Sequence, residues 1–217
     1  MVYQNLCEFL KNDIINIIFE IGARDCADTP IFLKYFKNVQ IFCYECNPEQ
    51  INICMSNINK INNNNIFFND YGLGEVESNK NFYPYVAENI GCSSFLKRID
   101  FDDTQKEINM IKISTVKNEI IKYNIKNIDL LFMDVQGYEL NILKGCFDYI
   151  IKIKYIFLEI PKENINRNYL KEGHSKYIGA PTRNEIIDYL YKNNFVIIKL
   201  FPENELEENI LFENKFF

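Results

Sequence analysis

Residues 17–25, Ile-Ile-Phe-Glu-Ile-Gly-Ala-Arg-Asp, constrain this chain more than any other stretch. A short apolar run of this kind suits a strand buried on both faces. It closes on Glu20 and Gly22, passes into a polar turn, and is followed by a helix-compatible segment at 27–37 with Pro30 near its start. Strand, glycine turn and helix form the first half of a nucleotide-binding βαβ unit. Gly22 fits the bend, where the backbone turns sharply and a ligand must approach without a Cβ in the way. On this reading Glu20 points from the strand end into the ligand crevice.

The pattern repeats along the chain. Strands are predicted at 40–45, 65–69, 128–133 and 155–159, the last stopped by Pro161. Helices are predicted at 2–13 with Leu6, Phe9 and Leu10 on one face, at 48–59 with Pro48 in its first turn, and at 115–123. Two more are predicted, from Gly137 to about Leu143 with Gly145 as the stop, and at 182–193. Residues 82–85 and 110–113 read as extra strands around a polar turn at 91–94. The last two strands, 195–201 and 209–215, have no helix between them and should pair as an antiparallel hairpin at one edge. Alternating strands and helices imply an α/β fold, a mainly parallel sheet with helices on both faces. The polar stretch 162–181, with Arg167, His174, Tyr177 and Pro181, has the length of a substrate lid. No linker or internal repeat interrupts the chain, so one domain is expected over 1–217.

Composition narrows the partners. The net charge is −6 and no basic stripe occurs, so nucleic acid is an unlikely partner. No apolar run reaches membrane-spanning length, which argues against a membrane partner. The N-terminal residues lack the apolar core of a leader, and the seven cysteines are scattered. Together these point to a reduced, cytoplasmic protein. Cys43-Tyr44-Glu45-Cys46 is a lone CxxC with no second ligand pair and a single distant histidine, so the thiols read as core groups and not as a zinc site.

Several strands end in an acid or amide: Glu20, Glu45, Asn69-Asp70, Asp134 and Glu159. In an open α/β sheet these ends line the edge where ligands bind. A carboxylate at position 45, after the second strand, can accept hydrogen bonds from both ribose hydroxyls of an adenosine. The G-x-G-x-x-G that brings amides to a pyrophosphate is missing, since Arg24 and Ala27 stand at its second and third glycines. The sheet is therefore suited to adenosine without a pyrophosphate, and S-adenosyl-L-methionine is such a ligand.

In this order the motifs resemble those of the FkbM family of S-adenosylmethionine-dependent methyltransferases. Glu20-Ile21-Gly22-Ala23-Arg24 is similar to the family's D-x-G-A-N, Tyr44-Glu45-Cys46-Asn47-Pro48 to F-E-P-x-P, and Gly72-Leu73-Gly74-Glu75 to A-L-G/S-D. The run from Asp134 through Gln136, Gly137 and Glu139 to Lys144-Gly145 is similar to D-V-E/Q-G-x-E-x-x-V/L-K-G. Glu20, Arg24 and Cys46 depart from the usual Asp, Asn and Pro.

The resemblance implies a Rossmann-like class I methyltransferase sheet of order 3-2-1-4-5-7-6 with strand 7 antiparallel. It also implies that Glu20, Gly22, Ala23 and Arg24 hold the methionine end of the cofactor and Glu45, beside Cys46, the ribose. Asp70 and Tyr71 would face the adenine, Ser93 and Ser94 would close over the adenosine, and Asp134 and Val135 would flank the methyl group. Asp134, Glu139, Glu159 and His174 are the candidates for the base or for orienting the acceptor. Gln136, Tyr138, Arg167 and Tyr177 are the candidates for binding it. Glu139 also has a purely structural reading as an acid at a helix N-terminus. No metal is expected, although Asp134 and Glu159 on neighbouring strand ends have the oxygen ligands that Mg²⁺ takes.

The expected activity is O-methylation of a hydroxyl on a small-molecule or glycan acceptor, with a sugar favoured by the polar composition of 162–181. Arg167, Lys171 and Lys176 would meet the phosphates of a nucleotide sugar. An RNA 2′-O-methyltransferase and a non-catalytic cofactor-binding subunit are the alternatives. Assembly as a homodimer is left open.

Overall fold

The computed structural model describes residues 2–85, 87–98, 108–162 and 176–217. Among the described residues ten strands fall into two sheets. The larger holds β1 (Ile17–Ile21), β2 (Gln40–Tyr44), β3 (Ile66–Asn69), β7 (Ile128–Met133), β8 (Ile153–Pro161), β9 (Phe195–Pro202) and β10 (Glu207–Asn214). Its order is β3-β2-β1-β7-β8-β10-β9. Pairing is parallel from β3 to β8, while β10 runs antiparallel to both β8 and β9. Counting only these seven strands, the order is 3-2-1-4-5-7-6 with the seventh antiparallel, the Rossmann-like arrangement expected. A small sheet of β4 (Gly72–Leu73), β5 (Ser78–Phe82) and β6 (Ile108–Ser114) stands beside it in the order β4-β6-β5.

The strands are buried on both faces because their residues alternate between two apolar layers. Phe19 and Ile21 of β1, Leu131 and Met133 of β7 and Ile156 and Leu158 of β8 face one layer. Ile18, Leu130, Phe132 and Phe157, the residues between them, face the other. Each fully buried side chain of this size contributes about 1.5–3 kcal/mol. Helices α4 (Val116–Lys122), α5 (Glu139–Lys144) and α6 (Arg183–Lys192) put buried residues into the first layer. Helices α1 (Val2–Leu10), α2 (Thr29–Tyr35) and α3 (Pro48–Ile61) put theirs into the second.

The helix signals in the sequence work as their chemistry requires. Asn47 caps α3 by accepting from the Glu49 amide, with Pro48 as the first helical residue. Thr182 and Glu185 form a reciprocal capping box on α6.

Some boundaries differ from expectation. Helix α1 buries Leu6, Cys7 and Leu10, whereas Phe9 is 44% exposed and meets Phe201 edge-on. Strand β8 runs through Pro161, whose missing donor is harmless at the last strand position. Residue 163 to residue 175, most of the expected lid, lie outside the described residues. No helix among the described residues is long and apolar enough to cross a membrane.

Candidate functional site

A cavity of about 130 Å³ opens at the carboxyl ends of β1, β2 and β7, where this topology is expected to bind its ligand. A smaller pocket of about 20 Å³, lined by residues of β8 and of the turn after β7, is too small for a cofactor.

The turn after β1 forms the floor. Gly22 has φ +81°, and a Cβ there would fall 2.0 Å from the backbone oxygen of Asp134. Its amide and that of Ala23 both donate to the Tyr44 carbonyl, at 3.0 and 3.1 Å. Arg24 follows with φ 52° and turns its amide onto Glu45 Oε2 at 2.8 Å. The other Glu45 oxygen accepts from the Asn47 amide at 2.7 Å. Two backbone donors thus fix the carboxylate on the cavity wall. Burial raises its pKa to about 7 while these amides pull it down.

The wall changes in polarity along its contacts. Asp134, Asp28 and Arg24 lie within electrostatic reach of Tyr3, and Arg24 pairs with Asp25. The Arg24 amide leads to Glu45, followed by Asn47 and Gln50. Beyond Cys46, Gly72 lies against Phe95, which packs on Phe82, and with Leu73 and Ile142 these make an apolar slot also lined by Ser93 and Ser94. Ser94 Oγ donates to the Gln136 carbonyl at 2.9 Å and so ties its segment to the turn after β7. Ser93 Oγ instead closes its own turn, donating to Ile90 O and accepting from the Tyr85 amide. Ala23, Cys46, Val135 and Tyr138 also line the cavity, and Tyr138 accepts from Lys80 Nζ at 2.8 Å.

Three expected contacts fall elsewhere. Glu20 is 1% exposed and off the cavity wall. It sits beneath the turn, where Oε2 accepts from Thr29 Oγ1 at 2.7 Å and from the Cys43 thiol at 3.2 Å. Burial raises its pKa to about 8. Asp70 is exposed and away from the cavity. Tyr71 is buried, and its hydroxyl is bound to Asn69 and Glu119 at 2.9 and 2.8 Å, where it braces β3 against α4.

The turn after β7 carries a second constellation. Gln136, at φ 54°, donates from Nε2 to Asp134 Oδ1 at 2.7 Å and to Glu159 Oε2 at 3.2 Å. Its Oε1 accepts from the Tyr177 hydroxyl at 2.8 Å, which fixes the amide so that its donors face the two carboxylates. Burial, then Asp134 and Glu207, raises the Glu159 pKa to about 9. Asp134 keeps accessible surface in the cleft, yet the walls withdraw it from bulk water and its pKa is also raised, next by Glu207 and Glu203. Glu139 is 2% exposed and accepts from the Gly137 amide at 3.2 Å. It holds the turn together and stays off the larger cavity, but it lines the smaller one. That pocket joins Gln136, Glu139, Glu159, Tyr177, Pro181 and Glu207. Lys176 pairs with Glu207 at 3.9 Å. Arg167, Lys171 and His174 lie outside the described residues. Among the described residues no group of three or more His, Cys, Asp or Glu is arranged to hold a metal ion.

The model of the methyltransferase FkbM domain matches residues 20–197. The chain belongs to the FkbM methyltransferase family. A curated relative of this methyltransferase is 2-O-methyltransferase NoeI of Sinorhizobium fredii (strain NBRC 101917 / NGR234), 22% identical over 91% of this chain and 79% of its own length. Among solved structures, an FkbM methyltransferase from Methylobacillus flagellatus KT superposes with TM-score 0.58 at 14% identity, over 91% of this chain and 43% of that one. M. capricolum TrmK, solved with S-adenosyl-homocysteine, superposes with TM-score 0.52 at 14% identity, over 97% of this chain and 68% of that one. These likenesses establish a Rossmann-like methyltransferase fold, and S-adenosylmethionine is the cofactor.

The cavity fits that molecule on its own features. It has a fixed carboxylate for a diol at its centre, an apolar slot at one end and a charged end opposite. Asn47, on its wall, keeps a buried Nδ2 donor without a partner among the described residues. Sequence reasoning missed Tyr3, Asp28, Gln50, Leu73, Phe82 and Phe95 as lining residues. For Gln50 the signal was present, since it stands in the first turn of the helix that follows Glu45. For Tyr3 nothing local marks it.

Proposed function

We propose that the protein transfers the methyl group of S-adenosylmethionine to a hydroxyl oxygen, with a sugar as the favoured acceptor. The observation that carries this reading is the Gln136 amide clamped between Asp134 and Glu159 at the edge of the cofactor cavity. Bound cofactor supplies an activated methyl group, so the protein has to align the acceptor and take its proton.

In this reading Glu45 holds the ribose, the apolar slot takes the adenine, and the turn at 22–24 lies against the methionine end. Of the two neighbouring carboxyls, Glu159 keeps its proton at neutral pH. Asp134 then accepts the hydroxyl proton as the acceptor oxygen attacks. Gln136 keeps the pair in place, and Tyr177 keeps Gln136 turned the right way. Oxygen as the target is supported by the curated relative's name, at low identity. A sugar is supported by the Gln136, Glu159, Tyr177 and Glu207 side chains of the small pocket and by the polar composition of 162–181. The phosphate-binding part of the sequence reading is weaker, because Lys176 is engaged by Glu207.

The test is incubation with methyl-labelled cofactor and a panel of free sugars, nucleotide sugars, glycans, RNA and apolar alcohols, read by mass spectrometry. Label on sugar hydroxyls is the expected result. Label confined to apolar alcohols or RNA refutes the sugar assignment, and label on nitrogen or carbon refutes O-methylation.

A further inference from the structure

Helix α1 lies before the stretch matched by the family model, yet it supplies part of the cavity wall. Its Tyr3 ring rests on Phe132 of β7, with centroids 4.4 Å apart, and on Phe32 of α2 at 5.4 Å. Phe132 pairs with Glu20 across the β1–β7 ladder and lies two residues before Asp134. The ring is therefore fixed over the strand ends at the charged end of the cavity.

Its hydroxyl stands within the electrostatic reach of Glu20, Asp134, Asp28 and Arg24. Among the described residues it has no hydrogen-bond partner. Burial, helped by the neighbouring acids, holds the phenol well above its usual pKa, so it remains an O–H donor throughout the neutral range. Arg24 is the one cation among the described lining residues, and its guanidinium is shared with Asp25 at 3.4 Å and Asp28 at 3.9 Å. A carboxylate entering this end has few donors to meet, and Tyr3 is one of them.

We propose that the Tyr3 hydroxyl donates a hydrogen bond to the carboxylate of the amino-acid end of S-adenosylmethionine, so that helix α1 completes the cofactor site. This rests on the orientation proposed above, with adenine in the apolar slot and methionine at the charged end. The arrangement gives α1 a role beyond covering the sheet, since cofactor affinity then depends on its docking.

Two ligands separate the contact from general packing: S-adenosylhomocysteine carries the amino-acid end, and 5′-methylthioadenosine lacks it. Calorimetric titration of the full chain and its Tyr3→Phe variant with both is the experiment. Tyr3→Phe keeps the ring and its contacts with Phe32 and Phe132, and urea unfolding of both proteins checks that stability is unchanged. The variant should bind S-adenosylhomocysteine more weakly by roughly tenfold or more, the worth of one hydrogen bond to a charged group. Its affinity for 5′-methylthioadenosine should match the parent's. Equal weakening for both ligands, or none for either, overturns the proposal. Failure of the unsubstituted protein to bind either ligand instead overturns the cofactor-site reading on which the proposal stands.

Discussion

Gly22 and Asp134 meet across the β1–β7 ladder so closely that a methyl group on the first would fall 2.0 Å from the carbonyl oxygen of the second. The glycine at φ +81° thus lets the cofactor turn lie against the strand that carries the proposed base. One backbone contact couples the two halves of the site.

Gly22→Ala is accordingly expected to damage both stability and binding. The unfavourable φ alone costs about 1–3 kcal/mol, and relieving the clash must separate the turn from β7. We expect a lower urea midpoint and at least a tenfold loss in S-adenosylmethionine affinity, read by denaturation and calorimetry. A variant that is destabilised but binds normally would show that the turn does not shape the cavity.

Glu45→Ala removes the acceptor that takes the Arg24 and Asn47 amides at 2.8 and 2.7 Å. Binding of S-adenosylmethionine should weaken by roughly 1.5–3 kcal/mol, the scale for hydrogen bonds to a charged group. Part of that loss comes through the turn itself, so Glu45→Gln is the finer probe. Unaltered affinity in a folded Glu45→Ala variant would take Glu45 out of the site.

Asp134→Asn should bind cofactor nearly as well as the parent and lose turnover by about 10²–10⁴, the contribution of a positioned base. Full turnover with the identified acceptor would move the proton to another group. The same assay with EDTA addresses the carboxylate pair as a cation site. We expect turnover to persist, whereas loss with rescue by Mg²⁺ would place a cation at Asp134 and Glu159.

The sheet order was legible because apolar runs, turns and strand-end acids agree along the chain. Which acids reach the cavity was legible only in part, and the reason is depth along the strands. Glu45 and Asp134 come one residue after the last strand residues, Tyr44 and Met133, and reach the cavity wall. Glu20 is level with Cys43 and Phe132, two residues before those acids, so it lies one pleat deeper, beneath the turn and between Thr29 and Cys43. Strand ends cannot be located to one or two residues from sequence, so the depth of a strand-end acid cannot either. Tyr3 was illegible for another reason. Its place depends on α1 docking over Phe32 and Phe132, and no residue near position 3 encodes that.

Buried acids also set the response to pH. Glu45 and Glu139 are raised to about 7, Glu20 to about 8 and Glu159 to about 9, from an ordinary value of 4.5, each chiefly by burial. Between 4.5 and these values the folded protein holds protons that the unfolded chain has released. Stability should therefore fall as pH rises from about 5 to about 9 and level off above that. Urea midpoints of the cofactor-free protein at pH 5, 7 and 9 check the sign, and Glu159→Gln should flatten the upper part of the slope. Stability that rises over this range would mean the acids are ionised in the fold.

Glu20→Gln decides between two readings of the same residue. If Glu20 reached the cofactor, as its position in the motif implies, losing the charge would weaken binding about tenfold or more. In the structure it lies under the turn, 1% exposed, with a pKa raised to about 8. At pH 7 it is therefore mostly the neutral acid, which glutamine matches in shape. Glutamine's carbonyl oxygen can still accept from Thr29 and Cys43 in place of Oε2, and its amide takes the position of the unpaired Oε1. S-adenosylmethionine affinity at pH 7 should stay close to that of the parent. Between about pH 4.5 and about pH 8 the folded parent holds a proton that the unfolded chain has released, whereas the variant has none to hold. The urea midpoint of Glu20→Gln should therefore gain on the parent's as pH rises from about 5 to about 8 and keep that lead at pH 9. A large drop in affinity at pH 7 without loss of stability would return Glu20 to the cavity.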